Sequence, residues 1–400
     1  MLALDAARAE IAAAYACRVG AETVPLGAAC WRILAGDMVS AIDLPPQRNS
    51  AVDGYAMRHA DLKPDAPTTL PLFGRAAAGD APVEAVPVGY ATRIFTGAVM
   101  PEGPDTVMMQ EDCALTEDGV IVQPGIARGA NSRPAGEDVA RGALALAAGR
   151  RLTPADIGLL SALGVAAVSV RRALRVTVFS TGNELRDPPG VLQPGQVFDA
   201  NRAMLLALLR RLGAAVTDGG ILPDRREATA EALAAAAGAA DLILTSGGVS
   251  TGEEDHVRAA IETAGVLTFW RVAIKPGRPV ALAEIAGTPL LGLPGNPVAA
   301  LVTFAALGRP LLDRLAGAVF VAPLRLPVRS GFAYKKKSGR REFVRVQIGT
   351  DGVATRYPKE GAGILTSLTE SDALMELPEE MTRLAPGDVA PCTPLGLLYG

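Results

Sequence analysis

Four hundred residues exceed what one hydrophobic core supports, and roughly 150 residues per domain implies two to four domains. With 49% hydrophobic and 20% charged residues the chain is not globally disordered, while 43 glycines, 30 prolines and only 4% aromatics imply small-residue packing and many turns. Thirty-nine basic residues against 42 acidic ones leave a net charge of −3, which argues against a nucleic-acid binder.

Leu4, Arg8, Ile11 and Tyr15 fall at helical spacing, and Leu26 to Leu34 repeats the pattern, predicting two helices before Gly36. Pro45 and Pro46 end that character. From there to about residue 139 the chain reads as short strands, Thr92 to Thr96 and Thr106 to Gln110 among them, separated by turns such as Glu117-Asp118-Gly119. Thr153 is placed to cap a helix with Pro154 at its first position, running to Leu163.

Strand and helix alternate from 172 to 310. Predicted strands are Val176–Phe179, one near Ala215, Asp241–Thr245, Thr268–Ile274, Val280–Glu284 and Pro289–Leu293. Predicted helices are Asn201–Leu212, Glu227–Ala237, Asp255–Thr263 and Val298–Leu307. Apolar strands between amphipathic helices describe a doubly wound, largely parallel α/β sheet. The tail from about 318 returns to short strands, Leu324–Val328, Phe343–Ile348 and Val353–Arg356, as a small C-terminal β-barrel. The predicted organisation is a helical linker domain (1–43 with 140–171), an inserted β module (44–139), an α/β domain (172–317) and the β domain (318–400).

Cys17, Cys30, Cys113 and Cys392 are scattered without metal-site spacing, which fits a reduced compartment. Two histidines, His59 and His256, argue against histidine-based catalysis. The amino terminus lacks a basic region, and the longest apolar run, Ala232 to Ala240, is too short for a membrane span, so the expectation is a cytoplasmic protein. Lys335, Lys336, Lys337, Arg340 and Arg341 read as a solvated basic hairpin rather than a nucleic-acid patch.

Open α/β sheets bind ligands beyond the carboxyl ends of their strands. The loops there carry Ser180 to Glu184, Leu222-Pro223-Asp224, Thr245 to Asp255, Lys275 to Pro279, and Pro294-Gly295-Asn296-Pro297. Packing does not account for Glu184, Asp224 and Asp255 converging with Lys275 and Arg278. Gly247-Gly248 followed by Ser250 and Gly252 is either a tight turn or a loop whose amides bind an oxyanion ahead of a helix. Asp255 is an N-cap or a ligand. Lys275 to Arg278 is a surface turn or a proline-stiffened anion clamp. Carboxylates facing an anion imply a divalent cation between them, magnesium by default, with Glu184, Asp224 and Asp255 as its ligands.

The segments NSAVDGYAM (49–57), RIFTGAVMPEGPDTVMMQED (93–112), RPAGEDVARG (133–142), FSTGNEL (179–185), FDANR (198–202), LILTSGGVSTGEED (242–255), FWRVAIKPGRPVA (269–281) and LLGLPGNPVAALV (290–302) together resemble the molybdopterin molybdenumtransferase family, represented by bacterial MoeA and the E domain of gephyrin. The resemblance implies a four-domain homodimer whose third domain shares the molybdopterin-adenylyltransferase fold. It implies a magnesium-dependent transferase that inserts molybdate into adenylylated molybdopterin and releases AMP, the last step of molybdenum cofactor biosynthesis. By the same matching, functional positions fall on Asp53, Thr96, Glu184, Asp224, Asp255, Lys275, Pro294 and Pro297, with Asp53 and Thr96 completing the site across the dimer. Substrate contacts are expected from Gly247, Gly248, Ser250, Arg278, Gly295, Asn296 and Arg345. Partners implied are a molybdopterin adenylyltransferase and molybdoenzyme maturation proteins, with no nucleic acid and no membrane. The alternatives are an adenylyltransferase-like nucleotide enzyme or a scaffold of gephyrin type. Ala362 stands where the family often has serine, and Arg271 and Arg278 where lysines are common.

Overall fold

The computed structural model describes residues 1–81, 84–222, 225–249, 261 and 265–399, and within these the chain divides into two units. The larger comprises Met1–Gly36, Ala148–Thr153 and Ala167–Gly400; the smaller comprises Asp37–Ala147 and Pro154–Ala166.

The larger unit opens with helix α1 (Leu4–Ala14) and strand β1 (Ala21–Pro25), which pairs antiparallel with β2 (Ala167–Arg171). The helix expected over Leu26–Leu34 is not formed: only the short turn Leu26–Ala28 is helical, and Leu34 bridges Val170. Trp31 has φ +67°, a left-handed conformation that an α-helix of L-residues excludes.

Then follow β3 (Arg175–Thr181), α2 (Ala200–Arg211), β4 (Ala215–Leu222), α3 (Arg226–Ala239), β5 (Leu242–Ser246), β6 (Gly265–Trp270), β7 (Ile274–Lys275), β8 (Ala281–Ile285), β9 (Thr288–Leu293), α4 (Pro297–Thr303) and α5 (Arg309–Ala316). A π-helical turn, Phe304–Gly308, joins the last two helices. The expected helix Asp255–Thr263 lies almost wholly outside the described residues.

The central sheet runs β4-β3-β5-β9-β8-β6. The first four strands are parallel; β8 runs against both of its neighbours, so β6 regains the common direction. Alternation along β5 explains the two covered faces. Leu242 and Leu244 pack in a core with Leu205, Leu209 and Leu301, whereas Ile243 packs in another with Leu233 and Ala237. Because β8 is reversed, its amino-terminal end lies at the edge where the parallel strands end. The turn Lys275–Pro279 is therefore delivered to the ligand-binding edge.

The C-terminal strands β10 (Leu326–Ser330), β11 (Arg341–Ile348), β12 (Val353–Arg356), β13 (Ala373–Leu377) and β14 (Val389–Pro394) close into a barrel through the β11–β13 pairing. Strand β7 adds to β11 in parallel, setting Ile274 beside Arg341 and Lys275 beside Glu342. The basic hairpin is partly structural rather than solvated. Lys336 Nζ donates to the carbonyls of Pro378 and Met381 at 2.7 and 2.8 Å, and Arg341 pairs with Glu376 and Glu379.

The smaller unit is mostly β. Leu72–Ala76, Ala91–Ile94, Gly54–Met57 and Thr106–Met109 form one sheet, and Thr68–Leu70, Gly119–Val122 and Cys113–Thr116 another, with helix Pro154–Ala162 beside short ribbons. Tyr55, Met57, Leu70, Val120 and Val122 share one core. Among the described residues no helix is long and apolar enough to cross a membrane.

Candidate functional site

Two cavities of about 630 Å³ each open at the carboxyl edge of the central sheet. They share Glu184, Pro279, Pro294, Gly295 and Asn296 along a common wall. The first is lined by the ends of β3 and β5, the start of α2 and the Pro294–Pro297 loop. The second is lined by Lys275–Pro279 and by barrel residues including Tyr334, Glu342, Arg345 and Arg356.

Small residues create the first cavity. Gly247 has φ +91°, and a Cβ there would lie 2.7 Å from the Thr181 carbonyl oxygen, so only glycine lets the two loops approach. Gly248 also has positive φ. Asp199 caps α2 by accepting from Arg202 N–H. Asn201 Nδ2 donates to Ser246 Oγ at 2.8 Å and to the Gly295 carbonyl at 2.7 Å, tying three loops together. Ser180 Oγ, Thr181 Oγ1 and Asn201 Oδ1 are buried without hydrogen-bond partners among the described residues. Such groups cost about 1–3 kcal/mol each when unmatched, so their grouping on one wall marks it as shaped for a polar ligand.

The Glu184 carboxylate folds back over Gly182, where a Cβ would lie 2.5 Å from Oε2. Among the described residues no three acidic, histidine or cysteine side chains group as a metal site. Asp224, Ser250 and Asp255 lie outside the described residues. The donors present, a carboxylate and unpartnered hydroxyls, are hard oxygens of the kind magnesium takes alongside substrate phosphates.

The second cavity is cationic. Lys275 Nζ donates to Glu342 Oε2 at 3.1 Å and to Tyr334 Oη at 3.2 Å, and the Tyr334 hydroxyl donates to the same carboxylate oxygen at 2.9 Å. Burial works against the Lys275 charge, but these hydrogen bonds outweigh it and hold its pKa above the ordinary lysine value. Burial pushes the Tyr334 hydroxyl up, keeping it protonated. Arg278 lines the cavity and is exposed. Arg345 Nε is buried without a partner among the described residues, and burial lowers the arginine's pKa, so its charge is under-compensated. Gly277 has φ +111°, and a Cβ there would strike Thr303 Oγ1 at 2.1 Å, which fixes the turn that carries both cations.

Asp53 and Thr96 meet in the smaller unit. Thr96 donates through both its backbone N–H and its hydroxyl to Asp53 Oδ1, at 2.8 and 2.7 Å. These bonds hold the Asp53 carboxyl below its ordinary pKa. Thus Glu184, Gly247, Gly248, Lys275, Arg278, Pro294, Gly295, Asn296, Pro297 and Arg345 line the two adjoining cavities, and Asp53 pairs with Thr96. Residue-level reasoning missed Asn201, Tyr334 and Glu342. Asn201 was visible in the FDANR segment; Tyr334 and Glu342 carried no local signal.

Comparison with known proteins places the whole chain in one context. Family models match residues 2–164 as the MoeA N-terminal region (domain I and II), 177–314 as a probable molybdopterin binding domain, and 327–395 as the MoeA C-terminal region (domain IV). A molybdopterin molybdenumtransferase of Haemophilus influenzae is 38% identical over 100% of both chains. Molybdopterin molybdenumtransferase 2 of Mycobacterium tuberculosis is 37% identical over 91% of this chain and 93% of its own. The crystal structure of a molybdopterin biosynthesis MoeA protein from Pyrococcus horikoshii superposes with a TM-score of 0.84 at 29% identity, covering 98% of this chain and 100% of that one.

Proposed function

We propose, from the premise that the chain belongs to the MoeA family of molybdopterin molybdenumtransferases, that it inserts molybdate into adenylylated molybdopterin with release of AMP. The observation that carries this reading is the adjoining pair of cavities. One is lined by hydroxyls and close-approaching glycines, the other by Lys275, Arg278 and Arg345, and they meet at Glu184 and the Pro294–Asn296 wall.

In this reading the first cavity holds the nucleotide and pyrophosphate of the substrate. The Gly248 backbone amide faces the phosphate oxygens, the Gly247 amide being spent on the Leu293 carbonyl at 3.0 Å. The buried, partnerless Ser180 and Thr181 hydroxyls lie in the wall behind, and Asn201 keeps the surrounding loops in register. Ser250 is a further substrate contact in this reading. The second cavity takes the molybdate oxyanion between Lys275, Arg278 and Arg345, each a charge-assisted donor. Pro294 and Pro297 stiffen the wall between the two, and Gly295 and Asn296 leave backbone room there. The reacting ends of two substrates are thereby held side by side, which lowers the entropic part of the barrier. Glu184, with Asp224 and Asp255, would hold magnesium. When bound, the ion would neutralise charge developing on the phosphoanhydride oxygens.

The reading extends to assembly: a homodimer in which Asp53 and Thr96 of one chain complete the site of the other, working in the cytoplasm. It keeps the domain limits of 1–43 with 140–171, 44–139, 172–317 and 318–400. The barrel's contribution of Tyr334, Glu342 and Arg345 to the cationic cavity favours the transferase over an adenylyltransferase built on the central sheet alone. Incubation with adenylylated molybdopterin, magnesium and molybdate tests it. AMP release that needs all three supports the reading; no AMP from the intact pterin nucleotide overturns it.

A further inference from the structure

A cavity shaped for an oxyanion is not expected to carry a buried carboxylate on one of its cations, yet Glu342 sits on Lys275. Its side chain is only 2% exposed, against 51% for Lys275. The pairing of β7 with β11 fixes Lys275 beside Glu342 by backbone register, so the carboxylate is anchored and the half-exposed ammonium is the part that moves. Two of the three ammonium donors are engaged, by Glu342 and Tyr334. Removing a lysine from a buried carboxylate normally strands the acid. Here it does not. Tyr334 Oη still donates to Glu342 Oε2 at 2.9 Å, and Arg340 lies 3.8 Å from the other oxygen. The other charged groups lining the cavity are mostly cations: Arg278, Lys359, Arg345 with its partnerless Nε, and Arg356, 5.7 Å from the Tyr334 ring centre. Of the acids, Glu360 is paired to Arg356 and Glu184 stands at the wall shared with the first cavity.

We propose that Glu342 is an internal counter-anion of the oxyanion cavity. It occupies Lys275 while the cavity is empty and yields the ammonium to the incoming anion, and Tyr334 keeps the carboxylate satisfied during that exchange. Uptake of the oxyanion is then reversible instead of a trap of uncompensated positive charge. Glu342 and Tyr334 act through Lys275 and are positioning residues. This inference rests on reading the cavity as the molybdate site.

The two residues make opposite predictions, which damage to the fold does not. Glu342→Gln keeps the shape and an acceptor but removes the competing charge, so molybdate binding tightens about tenfold, the scale of one unit charge across a partly exposed site. Tyr334→Phe removes the carboxylate's second donor, so Glu342 holds Lys275 harder and molybdate binding weakens about threefold, the scale of one neutral hydrogen bond. The measurement is equilibrium dialysis of molybdate against the full-length chain and both variants, with AMP affinity measured alongside as a check on the neighbouring cavity. Tighter binding in Glu342→Gln with weaker binding in Tyr334→Phe, at unchanged AMP affinity, is the expected result. Wild-type binding with equal or weaker binding in Glu342→Gln overturns the counter-anion role alone. A wild-type chain that binds no molybdate overturns the site reading, and this inference with it.

Discussion

Asn201 donates to the carbonyl of Gly295 at 2.7 Å, and through that bond the first turn of α2 holds the loop that separates the two cavities. The same amide nitrogen reaches Ser246 Oγ at 2.8 Å, so one side chain sets the spacing of three strand-end loops. Asn201→Ala deletes one buried and one half-buried hydrogen bond, and a loss of about 1–3 kcal/mol in stability is expected. The KM for adenylylated molybdopterin is expected to rise about tenfold, because misplaced loops weaken positioning. Calorimetry and AMP-release kinetics read the two effects separately, and an unchanged KM would show that the loops keep their spacing without Asn201.

Arg278→Ala removes one charge-assisted donor worth about 1.5–3 kcal/mol from the cationic cavity. The half-saturating molybdate concentration is expected to rise roughly 10- to 100-fold, with nucleotide binding changing less. A molybdate titration at fixed pterin nucleotide decides this. An unaltered half-saturation point moves the anion away from this turn.

Gly247→Ala meets both a positive φ and the Thr181 carbonyl 2.7 Å from the new methyl. The strain is expected to cost about 1–3 kcal/mol and to displace the loop, so AMP binding is lost. Gly238, inside α3 with nothing within 4 Å of a Cβ, is the control. Gly238→Ala is expected to stabilise by about 0.4–1 kcal/mol without affecting AMP. Calorimetric titration of AMP into both variants would reveal equal affinities if the loop were not a nucleotide contact.

Asp53 titrates below the ordinary carboxylate range because Thr96 donates to it twice. A depressed folded-state pKa stabilises the fold above the unfolded pKa, and that contribution is lost as pH falls through the folded value. Thr96→Val removes the hydroxyl donor and is expected to move the Asp53 titration upward toward the ordinary value. Carbon-detected NMR titration of the Asp53 carboxyl follows it; an unmoved midpoint would assign the depression to the backbone donor alone.

Contiguity decided what could be read from the sequence. Lys275, Arg278 and the Pro294–Pro297 loop each lie within a few residues of the glycines and prolines that shape them, so the chemistry and its scaffold appear in one segment. Glu342 and Tyr334 act on Lys275 from 67 and 59 positions away. Their role arises only when β7 joins the barrel, and no local pattern encodes that register. The misread helix at Leu26–Leu34 has the converse cause. Its apolar spacing fits a helix, but Ala21–Pro25 is drawn into pairing with Ala167–Arg171 and Leu34 bridges Val170, so long-range pairing overrides local periodicity.

The transfer itself is tested by stoichiometry. The purified chain is given adenylylated molybdopterin, magnesium and molybdate, and both AMP and pterin-bound molybdenum are quantified as the reaction proceeds. Molybdenum transfer in the paired cavities predicts one molybdenum retained on the pterin for each AMP released, with both falling together in Arg278→Ala at limiting molybdate. AMP release with no molybdenum on the pterin at any molybdate concentration would contradict it, leaving a hydrolase of the pterin nucleotide.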